Sequence, residues 1–404
     1  MATARHRTLL QHLVNLPTAP FCEGHVVAFI RRFVAARTAL KMSTDRFGNL
    51  LVRYVPRRKG PMRGRPILFA AHMDHPGFCA TKMIARHRVH AEWRGWVMGS
   101  YFHSERIQFH SGGRWVPGRI VEVIPQKPTS PHLKRAAASA RSFGAEAPPA
   151  AVIAQVRGAV EPGSPGMWGI GDAVIRGNQI RARVCDDIAG LAGILAMLDE
   201  ICRREIRVKC CAFFTRAEEV GFAGALAAVE SKTVPRNAIV VAVECSKAVT
   251  GVALGDGPVL RVGDKASVFT PAATAYCQVV AEALAEKDKG FRFQRKLMDG
   301  GTCESTAYCH HGYDATGICL PLGNYHNMDT QRRKIGPEFI DVRDFDNLVK
   351  WFVALAESPA KMKFDGSHPG LSKRLDALLR LHRPRLTKTA AAVSGARVGG
   401  MSER

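Results

Sequence analysis

Residues 67–74 read Ile67-Leu68-Phe69-Ala70-Ala71-His72-Met73-Asp74, an apolar run that ends in an imidazole and a carboxylate. The part Ile67–Ala71 has the length and composition of a strand buried on both faces. His72 and Asp74 lie two residues apart, so alternation puts them on one side of the strand end. An Asp so placed can accept the proton on the far ring nitrogen and fix the tautomer that faces a metal. A lone His-x-Asp is commonly incidental, so its meaning depends on the rest of the chain.

Four more stretches have the same character: Cys185-Asp186-Asp187, Glu218-Glu219-Val220-Gly221, Val243-Glu244-Cys245 and Asn324-Tyr325-His326-Asn327. Each follows an apolar or alternating run and so sits at or just past a strand end. Together they offer carboxylate oxygens and imidazole nitrogens without a thiolate cluster, a donor set that suits divalent ions such as Zn²⁺, Co²⁺ or Mn²⁺. Each motif also has a plain structural reading. Asp186 and Asp187 precede a helical pattern and could be caps. Glu244 could end a strand that simply reaches solvent. Glu218 and Glu219 could open an exposed helix, but the turn after them, Val-Gly-Phe-Ala-Gly-Ala, is close-packed rather than solvated. Adjacent residues point in different directions, so one Glu of the pair can bind metal while the other faces an attacking water. Of the Asp pair, Asp186 is the better bridge between two ions, with Asp187 supporting it. Gly300-Gly301-Thr302 before a helical stretch is either a tight turn or a cradle for an anion.

The strand-like runs are Leu50–Tyr54, Ile67–Ala71, Lys209–Thr215, Ala238–Glu244 and Ala315–Pro321. Helical patterns cover Ala189–Arg204, Pro271–Lys287 and Phe345–Glu357. Strands alternating with helices predict an α/β fold, a mainly parallel sheet sandwiched by helices, with ligands beyond the carboxyl ends of the strands. The segment 77–180 differs, with short alternating runs at Arg88–Trp93, Arg106–His110, Arg119–Ile124 and Ala151–Gly158 and frequent Gly and Pro. It predicts a small inserted β-rich, barrel-like domain with a loop at Pro131–Pro149. The main domain is then discontinuous, 1–76 and 181–364, and 365–404 is a basic tail expected to be flexible.

The 404 residues suffice for these two domains, and the apolar runs are too short to span a bilayer. The stretch Met1–Phe33 has no continuous apolar core and no small-residue cleavage site, so no secretory signal is expected. Eleven cysteines, an odd number without C-x-x-C spacing, fit reduced thiols in a cytoplasm. The net charge of +23 attracts polyanions nonspecifically, but no aromatics interleave with the basic residues to make a stacking surface.

The order and contexts of these motifs resemble the dinuclear-metal aminopeptidases of the glutamyl/deblocking (TET-type) family, within the superfamily of zinc aminopeptidases, carboxypeptidases and amidohydrolases. The resemblance runs from Leu9–Leu16 and Asp45–Asn49 through Ala71–Phe78, the insert with Pro131-His132, Gly171-Asp172, Glu218–Gly224 and Gly300–Thr302 to Asn324–Asn327. It implies the zinc-peptidase fold and two divalent ions, zinc first among them. One ion would be held by His72 and Glu244 and the other by Glu219 and His326, with Asp186 bridging both. Asp74 would orient His72, and Glu218 would be the general base. It also implies a peptide substrate cleaved at its N-terminus, with the free amine held near carboxylates such as Glu304. Homo-oligomers, built through the inserted domain, are implied too; no specific nucleic acid and no membrane is expected as partner. Departures from the family pattern are His75-Pro76 in place of Glu-Val, Ile188 in place of Arg, and Glu244 in place of Asp. Cys303-Glu304 also stands where an Asp is usual, and His326 lies in a Gly-Asn-Tyr-His-Asn context. No ligand is lost, so activity is expected, while the departures flank the metals and bear on substrate choice. The alternatives are a metal-dependent carboxypeptidase or N-acyl amino acid deacylase, which needs a cation for the substrate carboxylate. More remote are a metal-free glycosidase and a nucleic-acid-binding protein with a decayed site.

Overall fold

The computed structural model describes residues 3–57, 62, 64–126, 146–358 and 369–394. At its centre lies an eight-stranded sheet in the order Leu40–Thr44, Leu50–Tyr54, Cys210–Thr215, Ile67–His72, Ile239–Lys247, Asp314–Leu322, Val259–Asp264, Gln294–Met298. The four middle strands, Cys210–Thr215 to Asp314–Leu322, are parallel. A hairpin closes one edge antiparallel to them, and a parallel pair running the other way closes the opposite edge.

Alternation explains the layers. Every residue of Ile67–His72 is buried. Ile67, Phe69 and Ala71 join one core with the helices Ile188–Arg203 and Val342–Glu357. Leu68 and Ala70 join the opposite core with Ala225, Ala228 and Tyr308 from the helices Ala223–Glu230 and Glu304–His310. Period-two side chains with both faces covered are the physical content of the sandwich. All five expected strands and all three expected helices are present, with Pro271–Lys287 bounded as read. The last helix of the sandwich starts at Val342 rather than Phe345, because Asp341 caps it by accepting from the Arg343 N–H at 2.8 Å.

The insert is a closed six-stranded barrel, in the order Gly77–Ala85, Arg88–Arg94, Ala151–Val156, Arg114–Ile124, Arg106–Ser111, Pro165–Trp168. Closure leaves it no free edge. Its core is aromatic: Phe78 meets Trp93 at 4.8 Å between centroids, and Phe102 meets Trp168 at 5.1 Å. The barrel ends at Trp168, ahead of the expected boundary at Ile180. Val174–Arg176 and Gln179–Ala182 build instead a three-stranded sheet with Glu338–Asp341 of the main domain. Of the expected loop Pro131–Pro149, residues 131–145 lie outside the described residues, and so does Pro131-His132. Within the tail expected to be flexible, Pro369–Ser394 is a helix, its side chains exposed from Ser372 to Thr389. No described helix is long and apolar enough to cross a membrane.

Trp168, only 2% exposed, touches the rings of Phe78, Trp93 and Phe102. Trp168→Ala is expected to cost about 3–5 kcal/mol of stability, read as a lowered urea midpoint. An unchanged midpoint would mean that this cluster is not what holds the barrel.

Candidate metal centre

The parallel strands act as a jig. Thr215 pairs with His72, and Ala242 pairs with Ala70, so Glu244, two residues on, reaches the level of His72. The other motifs occupy the turns beyond these strand ends: Asp186 before the helix Ile188–Arg203, Glu218–Val220 as a 3₁₀ turn, and Tyr325–Asn327 as another. All five residues expected to bind metal converge. His72 Nε2 stands 3.5 Å from Asp186 Oδ1 and 3.4 Å from Glu244 Oε1. His326 Nε2 stands 3.7 Å from Asp186 Oδ2 and 3.2 Å from Glu219 Oε2. The two oxygens of Asp186 thus face different imidazoles.

The capping and solvent-exposed readings do not describe what is seen. Asp187 occupies the position before the helix, yet its side chain caps nothing; its Oδ1 meets Cys245 Sγ at 3.6 Å. A Cβ at Gly190 would fall on that carboxylate, so the helix can approach it only with glycine there. Glu244 and Glu218 are buried, and the Glu219 side chain is 6% exposed.

Both imidazoles are tied by the opposite nitrogen to the backbone. His72 Nδ1 donates to the Asp74 carbonyl at 3.1 Å, and His326 Nδ1 donates to the Trp96 carbonyl at 2.6 Å. Trp96 belongs to the insert, so the barrel helps aim a main-domain histidine. Asp74 therefore orients His72 chiefly through its carbonyl, its carboxylate Oδ1 lying 3.7 Å from the ring. That carboxylate instead accepts the N–H groups of Glu218 at 3.0 Å and Glu219 at 3.1 Å, locking the acidic dipeptide.

Residues outside the expected ligand set also brace the frame. Glu338, fully buried, accepts from the N–H groups of Cys185 at 2.6 Å, Asp186 at 3.1 Å and His326 at 2.9 Å. It ties the Asp186 turn to the His326 turn. His75 spans the Asp186 carbonyl at 2.8 Å and the Asn327 side-chain oxygen at 3.1 Å. Ala217 and His326 take left-handed φ values of 52° and 53°, strain of a kind that clusters at functional sites. Glu23 accepts from the Ala217 N–H at 3.1 Å and from Arg216 Nε at 2.9 Å, which supports that turn.

This arrangement fits divalent cations. Each Nε2 faces carboxylates while its Nδ1 donates elsewhere, so a positive charge must lie between, either a proton on the ring or a metal ion. Asp186 Oδ1 and Glu219 Oε1 are buried without a hydrogen-bond partner among the described residues. Ligand atoms of His72, Asp186 and Glu219 lie within 4.8 Å of one another, as do those of Asp186, Asp187 and Glu244. Buried carboxylates at such density must be paired, protonated or metal-bound. Burial pushes Asp186 and Glu218 well above the usual carboxylate range, with neighbouring Glu244 and Glu219 adding to it. Burial opposes protonation of His72, but Asp186, Asp74 and Glu244 outweigh it and hold its pKa well above the ordinary value.

The model of the family described as M42 glutamyl aminopeptidase matches residues 48–335. The chain belongs to that family. It is accordingly a metal-dependent peptidase. Among solved structures, the TET1 peptidase of Pyrococcus horikoshii is similar at 19% identity, over 87% of this chain and 99% of that one, with a TM-score of 0.67. The aminopeptidase APDkam598 of Desulfurococcus kamchatkensis is similar at 21% identity, over 87% and 94%, with a TM-score of 0.66. An endoglucanase of Thermotoga maritima matches at 18% identity, over 87% and 97%, with a TM-score of 0.59. At these identities the likeness is one of fold. No curated protein sequence matches the chain significantly.

Glu338→Gln would turn an amide N–H toward a backbone N–H it now accepts from. The expected loss is about 2–3 kcal/mol in urea unfolding. Stability equal to that of the unaltered protein would show that the carboxylate does not carry the frame.

Proposed function

We propose that this M42 peptidase removes N-terminal residues from peptides with a pair of divalent ions. His72, Glu244 and Asp186 hold one; Glu219, His326 and Asp186 hold the other. The observation that carries this reading is the division of the two Asp186 oxygens between the two imidazoles. Zinc is the first expectation for the donor set, with cobalt and manganese as substitutes. When bound, such ions supply an acidified water and an electrophile for the scissile carbonyl. Glu218 takes the proton of the attacking water and returns it to the leaving amine. Asp74, by gripping the N–H groups of Glu218 and Glu219, keeps base and ligand in fixed relative positions. Glu304 is a poor candidate for holding the substrate amine: it is buried and does not line the cavity beside the site. The carboxylates of Glu218 and Glu219 do line it and offer an ammonium group its counter-charge.

Arg261 favours substrates that carry an anionic group next to the scissile bond. It lines the same cavity with Lys247, Gly300, Gly301 and Thr302. It is 2% exposed, donates to Ser246 Oγ at 2.9 Å and leaves its Nε unpartnered. A buried guanidinium that lines the cavity suits a substrate carboxylate, beside the charge that Glu244 and Asp264 already offer it. That carboxylate can belong to an acidic N-terminal residue or to an N-acyl amino acid, so the same cation serves the deacylase reading. The imidazoles interleaved with carboxylates disfavour a metal-free glycosidase pair, whatever the activity of the Thermotoga maritima neighbour. Similar structures are described as a dodecamer and as a tetrahedron or large octahedral shell, which supports a homo-oligomer for this chain. Eleven cysteines free of disulfides support a cytoplasmic home.

Glu218→Gln is expected to lower kcat on amino-acid arylamides by about 100-fold or more while metal content stays that of the unaltered protein. Loss of metal from this variant would assign Glu218 as a ligand instead, and full activity would remove it from the chemistry. Arg261→Met is expected to lower kcat/KM for glutamyl and aspartyl arylamides about 10–100-fold relative to leucyl arylamide. An equal fall for all of them would show that Arg261 supports the fold and reads no substrate charge. If N-acyl amino acids are cleaved and arylamides are not, the deacylase reading replaces the aminopeptidase one.

A further inference from the structure

The helix Pro369–Ser394 lies beyond the matched segment, which ends at residue 335. Leu375, Leu378, Leu379 and Leu386 are 42–61% exposed. They recur at i, i+3, i+4 and i+11, so at 3.6 residues per turn they share one face, with His382 among them and Leu386 following Pro384, which lies inside the helix. Arg374 and Arg385 flank the stripe on one side and Arg383 on the other, while Lys373, Arg380 and Lys388 cover the opposite face. Asp376 is the one acidic residue between Ser372 and Thr389. A helix with a leucine stripe and a cationic back has nothing in water to reward its order, since helices standing alone are marginal and draw their stability from a covered apolar face.

We propose that this helix docks on an anionic lipid surface, with the leucines in the acyl boundary and the basic residues against the headgroups. Charge decides between possible occupants. A second copy of the helix against the stripe would bring Arg374, Arg383 and Arg385 of two chains together, and like charges oppose that pairing. An anionic bilayer buries the same leucines and neutralises the same arginines, and long basic side chains reach the headgroups by extending along the helix. A nucleic acid would use the charge but leave the leucines in water, and the helix carries no Phe, Tyr or Trp to stack on bases, only the imidazole of His382. In this mode the helix lies in the interface without crossing it, and no described helix is long and apolar enough to cross a membrane. Peptide hydrolysis would then take place next to the lipid surface.

The test is flotation of the full chain with phosphatidylcholine vesicles, with and without phosphatidylglycerol. Binding to the phosphatidylglycerol vesicles is expected, at least about 10-fold weaker to neutral ones and falling steeply with salt. The double variant Leu375→Ser, Leu379→Ser keeps every charge, and its affinity for the anionic vesicles is expected to fall about 10-fold or more. Its exposed positions leave arylamide turnover as in the unaltered protein. If the variant binds anionic vesicles as well as the parent does, the attraction is the general basicity of the chain and the proposal fails. If the parent does not bind vesicles but binds an oligonucleotide, the surface is one for nucleic acid and the proposal fails. It fails likewise if the leucine variant changes only the oligomeric mass.

Discussion

The structure turns on one carboxylate, that of Asp186, whose oxygens face His72 on one side and His326 on the other. Placing it there requires several buried acids close together, which is unfavourable without positive charge among them. The surrounding frame answers that constraint. Glu338 fixes the backbone at Cys185, Asp186 and His326 with one side chain, so Asp186 and the His326 half of the site cannot drift apart independently. Asp74 does the same for the Glu218-Glu219 dipeptide. Two buried carboxylates, Glu338 and Asp74, thus hold the backbone of residues expected to bind metal.

The sheet supplies the coarse positioning and the turns the fine one. Parallel register brings His72 and Glu244 to the same level, and the left-handed residues Ala217 and His326 bend the chain back over the strand ends. The barrel takes part through the Trp96 carbonyl on His326, and its core packs against Met328 and Tyr325 beside that histidine. An insert that reads as an appendage in sequence is therefore coupled to the site, and damage to the barrel should reach the chemistry through that hydrogen bond.

Most of the fold and the five converging residues were legible because they follow from local patterns. Apolar runs ending in His, Asp or Glu announce strand ends with chemistry on them, and Pro271–Lys287 carried its helical period openly. What was not legible has a physical reason in each case. The Trp96 carbonyl has no side-chain signature. Glu338 lies in a short strand where a buried Glu looks like any half-exposed one. His75 registered only as a departure from a family pattern, although it braces Asp186. Asp74 was expected to act through its carboxylate, but a residue two positions on can reach the ring with its carbonyl as well, and only coordinates distinguish the two. Arg261 became visible once the sheet placed it beside the cavity. The tail registered as charge without period because its leucines, spread over several turns, make a stripe only on a helix.

The central claim is that this cluster holds two ions around Asp186. Metal content per chain after dialysis against zinc and then metal-free buffer, measured by mass spectrometry, tests it most directly. The account predicts two zinc ions per chain in the unaltered protein and fewer in Asp186→Asn, with turnover following occupancy. Peptide hydrolysis that continues at full rate in a chain stripped of metal would contradict it.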